Sequence, residues 1–223
     1  MEISTDERFH ESLRYLATKL QQPLQKIGDR YHLIVPATVD SYYLTDLLVY
    51  QIVTVMKAHY LQDKIKIKHN LLIKVLVNYD KKTDMVIATA LLKESPLLLL
   101  DALYDFGIAK LKCRWDEVAQ LVNDNRTQLN QKPLRDELLR FLILNMDHKM
   151  KEVHVMAVNK HPTVCNSKLE PIKPEQPNVI DALVEAAPRQ IFIHIDQNMT
   201  PETVKEIQQL FPNCICIEYS AVL

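Results

Sequence analysis

The chain has 223 residues, 48% hydrophobic and 25% charged, with 27 Lys and Arg set against 28 Asp and Glu. That composition is enough for a packed core, and a net charge of -1 supplies no field that would gather nucleic acid or an anionic membrane. Only two glycines are present, so neither the G-x-G-x-x-G dinucleotide fingerprint nor the Walker phosphate loop can be written anywhere in it.

The first residues, Met1 to Glu7, are polar and acidic and lack the basic and apolar regions of a secretory signal, so an intracellular, cytoplasmic chain is expected. The apolar stretch from Tyr42 to Leu61 is broken by Asp46, Gln51 and Lys57, too polar for a transmembrane span. Two glycosylation triplets, at Asn125 and Asn198, are then chance matches. The four cysteines, at 113, 165, 214 and 216, have no Cys-x-x-Cys spacing and are expected to be reduced thiols.

In chain order, Ser4 and Glu7 fit a capping box ahead of Phe9, Leu13, Leu16 and Leu20, which recur at helical spacing until Pro23. Tyr31 to Val35 is short and rich in strand formers, and a long helix follows from about Tyr42 to Tyr60. The stretch from Ile65 to Leu92 mixes two periods, with helix favoured after Asn70. Ser95 and Pro96 offer a cap and first turn before Leu97 to Leu100, and further helices fit Trp115 to Leu129 and Leu134 to Met146.

After Lys151 the texture changes. Val153 to Val158 reads as a strand, and the prolines at 162, 171, 174 and 177 as an irregular connection. Asn178 caps a helix, Ile191 to Ile195 forms a strand, Thr200-Pro201 opens a second helix, and Cys214 to Tyr219 is the last strand. The expectation is an α+β or α/β protein: a mainly helical region over 1–150, then a small parallel βαβαβ unit over 151–223.

The blocks Tyr104-Asp105-Phe106-Gly107-Ile108-Ala109-Lys110-Leu111, Val153-His154-Val155, Ala186-Ala187-Pro188-Arg189-Gln190-Ile191-Phe192-Ile193-His194 and Ile207-Gln208-Gln209-Leu210-Phe211 resemble the YtxC-type sporulation proteins of endospore-forming bacteria. The resemblance covers about residues 97 to 217 and implies a cytoplasmic protein of a spore former, with no catalytic residue carried across. Members tend to end in closely spaced cysteines, whereas Glu218, Tyr219, Ser220 and Ala221 stand here, which weakens a cysteine-metal site.

Candidate chemistry is sparse. His194 and Asp196 are two apart on a strand, with Asp196 at the carboxyl end where parallel sheets bind ligands; they could hold a metal or relay a proton, or serve packing and a turn. Cys214, Cys216, His154 and His194 fall on adjacent strands, but buried strand cysteines are commonly apolar filler, so neither a metal nor another cofactor is expected. Arg135, Arg140, Lys149 and Lys151 with His148 thicken positive charge, yet Asp136, Glu137, Asp147 and Glu152 interleave as on a solvated helix face. The run Leu97 to Leu100 could seat a partner helix but suits the core better. The function expected is therefore non-enzymatic, a protein-interaction or regulatory factor with a protein partner; the alternative is a small hydrolase or metal-dependent nuclease using Asp196 and His194.

Overall fold

The computed structural model describes residues 1–94, 99–158, 161–172, 178–195, 199–212 and 214–219. It forms two compact units, Met1–Lys66 with Lys81–Asp124, and Ile67–Asp80 with Asn125–Leu223. The change of texture near residue 150 lies inside the second of these. Among the described residues no helix is long and apolar enough to cross a membrane.

The first unit begins with β1 (Glu2–Thr5), α1 (His10–Leu20), β2 (Leu24–Ile27) and β3 (Arg30–Ile34). Ser4, in β1, pairs with His32 of β3, so the first helical turn is capped instead by Asp6, whose carboxylate accepts from Arg8 N–H at 2.9 Å. The three strands make an antiparallel sheet in the order β1-β3-β2, with Ile3 and Leu24 both opposite Leu33. The β2 strand is absent from the sequence expectation, because Gln25 and Lys26 hide its period. Gly28, at φ +61°, turns the chain between β2 and β3.

Next come α2 (Ser41–Gln51), a π-helical turn at Ile52–Met56, and α3 (Lys57–Lys64), which together make the long helix that periodicity anticipates. The segment α4 (Asn70–Asn78) belongs to the second unit, and α5 (Lys81–Glu94) returns to the first. Then follow α6 (Leu100–Ala102), a second π turn at Leu103–Gly107, and α7 (Ala109–Asp124). Residues 95–98, including the expected Ser95-Pro96 cap, lie outside the described residues. Two bidentate pairs, Arg8 with Asp105 and Arg30 with Asp101, tie the α6 and π-turn segment to the N-terminal elements. The interior of this unit holds a buried ion pair: Asp84 Oδ2 receives Lys57 Nζ at 2.7 Å and Trp115 Nε1 at 3.0 Å.

The second unit adds α8 (Arg126–Leu129), α9 (Lys132–Leu144), β4 (Met150–Val158), β5 (His161–Cys165), α10 (Val179–Ala186), β6 (Pro188–Ile195), α11 (Pro201–Leu210) and β7 (Ile215–Tyr219). Its sheet runs β5-β4-β6-β7. The expected βαβαβ core is present as parallel β4, β6 and β7. The three-strand expectation needs correcting, since β5 pairs antiparallel with β4 through Pro162 opposite Ala157. Proline is tolerated there because β5 is the edge strand of the sheet, where a missing N–H need not interrupt a ladder on both sides.

Local chemistry sets the helix starts: Asn178 Oδ1 accepts from Ile180 N–H at 2.8 Å, and Thr200 Oγ1 from Thr203 N–H at 3.3 Å just ahead of Pro201. Stepping from β4 to β6 to β7 in one direction with right-handed crossovers puts α10 and α11 on the same face of the sheet. Burial agrees: Val153, Val155, Ile191 and Ile193 are fully buried, whereas Glu152, His154, Met156, Gln190, Phe192 and His194, on the alternate face, are only half-buried. Behind the first layer of helices, α10 packs on α4 and α11 on α9.

Candidate functional site

The half-buried face of the second sheet carries the features closest to a site. β4 and β6 alternate Val153-His154-Val155 and Ile193-His194-Ile195, so Val153, Val155 and Ile193 fill the core, Ile195 is half-buried at the strand end, and both imidazoles face away from the core. Parallel register sets His154 beside Phe192, which places His194 one step further along β6 on the same face. The ring of His154 lies nearly parallel to that of Phe192, with centroids 5.1 Å apart and planes at 16°.

His154 Nδ1 and His194 Nε2 are 2.9 Å apart, a good N–H···N distance. Ring centroids 5.1 Å apart, with so short a nitrogen contact, mean that the imidazoles meet edge to edge along the N···N line. The contact takes one ring nitrogen as donor and the other as acceptor. Zinc would require the two lone pairs to converge on a third point; bonds of 2.0–2.1 Å at a tetrahedral angle hold such nitrogens about 3.3 Å apart. The geometry is therefore that of a hydrogen bond, and its chemistry is to fix each ring's tautomer and orientation.

The other sequence candidates are distributed differently. Asp196, with Gln197 and Asn198, lies outside the described residues. Cys214 precedes β7, where its carbonyl accepts from Ile191 N–H at 2.6 Å. His194 is in register with Glu218, four residues beyond Cys214, or roughly 13 Å at strand rise. Cys214 is thus out of reach of the imidazole pair, and Cys216, in register with Phe192, belongs to a strand stretch whose backbone alone is described. Burial pushes the Cys165 and Cys214 thiols up, which disfavours the thiolate that a metal or nucleophilic step requires. Among the described residues no group of three or more His, Cys, Asp or Glu side chains gathers as a metal site.

Of the basic residues around α9, Lys149 has a structural role. Lys149 Nζ donates to the Glu185 carbonyl at 2.9 Å, closing the end of α10. Of the apolar run, Leu100 is buried and Leu99 exposed, with Leu97 and Leu98 outside the described residues.

The sequence placed both histidines on neighbouring strands but missed Phe192 as the third ring. Its signal was the alternation Ile191-Phe192-Ile193-His194, which sets Phe192 on the polar face with His194. Comparison of the chain with family models, with curated proteins and with solved structures finds no match.

Proposed function

We propose that the protein is a cytoplasmic, non-enzymatic protein-interaction or regulatory factor of the YtxC-type sporulation kind, its partner a protein. The observation that carries the reading is the half-buried sheet face with Met156, Phe192 and the hydrogen-bonded His154–His194 pair. Aromatic, thioether and imidazole groups on a rigid sheet give a surface that is apolar yet still hydrogen-bonding, the mixture that protein partners use. The near-neutral charge supports a protein over nucleic acid. The sporulation context rests on the resemblance alone, carried by the blocks around Tyr104, Val153, Ala186 and Ile207 and the helix after Trp115. A hydrolase would need Asp196 as well as His194, and His194 Nε2 is already engaged with His154.

The test is genetic and biophysical together. Phe192→Ser should leave circular dichroism near wild type while abolishing rescue of a deletion strain in the native host, with the deletion itself lowering spore yield. Normal sporulation in the deletion strain would overturn the context, and full rescue by Phe192→Ser would overturn the sheet face as the binding surface.

A further inference from the structure

Helix α9 is apolar on two sides. Leu139, Leu142 and Ile143 are buried within its own unit. Leu134, Leu138 and Phe141, at i, i+4 and i+7, form a second stripe that Leu144 extends, with Phe141 57% and Leu134 41% exposed. An amphipathic helix serving only its own core would carry polar residues there. Glu137 and Arg140, both exposed, flank the same edge of that stripe, and among the described residues neither makes an ion pair or hydrogen bond, although they stand at i and i+3.

We infer that α9 is the contact of a two-fold dimer of this chain, the stripe packing antiparallel against its own copy. A two-fold axis level with residues 138 and 139 sets Glu137 opposite the partner's Arg140, and Arg140 opposite the partner's Glu137. One helix face thereby satisfies both of its unpaired charges with itself, which is the self-complementarity an isologous contact demands. Leu138 and Phe141 fall at the centre, where ridges of the two helices interlock. A stripe of about three turns is small, so the dimer is of the weak, concentration-dependent class. This contact is independent of the sheet face.

Sedimentation velocity of the full chain over a wide concentration range tests it, with circular dichroism to confirm the fold of each variant. The weight-average mass should rise with concentration from 25.9 kDa toward twice that value. Phe141→Asp should remain monomeric. Glu137→Arg and Arg140→Glu should each weaken association roughly fivefold, since two contacts turn repulsive at once. The double variant Glu137→Arg with Arg140→Glu should recover wild-type association, a result no unrelated surface predicts. Three results overturn the inference: a monomer at every concentration, association indifferent to these changes, or no recovery in the double variant. If the wild type stays monomeric while Phe141→Asp abolishes rescue in the native host, the stripe serves a different protein.

Discussion

Lys57 Nζ stands 2.7 Å from Asp84 Oδ2 inside the first unit, with the two residues only 4% and 2% exposed. The same oxygen accepts from Trp115 Nε1 at 3.0 Å, while Arg114 Nε lies 3.6 Å from Oδ1. Lys57 is the first residue after the π turn at Ile52–Met56, so the irregular turn sets the angle at which its side chain meets α5.

Removing the carboxylate should cost far more than removing the pair. Asp84→Leu leaves the ammonium buried without its counterion, a loss of about 3–5 kcal/mol. Lys57→Met together with Asp84→Leu should regain much of that loss, because two buried charges are removed at once. Urea denaturation of the single and double variants reads this directly. Losses that simply add would show that the two side chains are not energetically coupled.

The His154–His194 bond gives a similar asymmetry on a smaller scale. His194→Leu should destabilise by roughly 1–3 kcal/mol, because it orphans a half-buried ring nitrogen of His154. Replacing both by Leu should come closer to wild type in stability while altering the surface that the proposed partner meets. Lys205→Gln, exposed on α11, serves as the neutral control. A thermal midpoint for the double variant below both single variants would contradict the argument.

The turn between β2 and β3 offers a purely conformational test. Gly28 has φ +61°, and a methyl group placed on it would meet nothing within 4 Å. Gly28→Ala should therefore cost about 1 kcal/mol through backbone strain alone, and Gly28→Asn less, since Asn tolerates the left-handed region better. Equal losses for Ala and Asn would point to a different cause.

Elements with a strong single period are legible in the sequence. The helix ending at Leu20, the caps at Asn178 and Thr200, and the strands around Val155 and Ile193 all follow from spacing and cap chemistry. Where two signals competed, the reading failed. Pro162 speaks against a strand, yet β5 tolerates it because an edge strand need not donate on its outer side. Ser4 and Glu7 satisfy a capping pattern, but Ser4 is held by pairing with His32 across the sheet. The site is half legible: the sequence pattern puts His154 and His194 on adjacent strands, whereas their shared face and contact depend on a register between strands 40 residues apart that no local pattern encodes.

His69 ties stability to mild acid. It caps α4, with its Nδ1 accepting from Leu72 N–H at 3.2 Å, which requires that nitrogen to be unprotonated. Burial, and secondarily the charge of Arg135, holds its pKa below the ordinary value of 6.5. Between those two values the unfolded chain binds more protons than the folded one, so stability rises with pH through the interval. The contribution is fully present above about pH 6.5 and is lost as pH falls through the lower, folded value. His69→Asn keeps an acceptor at the cap but cannot titrate. Urea midpoints for wild type and His69→Asn should therefore differ little at pH 8, and the wild type should fall relative to the variant as pH drops from 6.5 to 5. The chain has eight histidines, so only this difference isolates the cap. A gap between the two proteins that stays constant from pH 8 to pH 5 would show that protonation of His69 does not disturb α4.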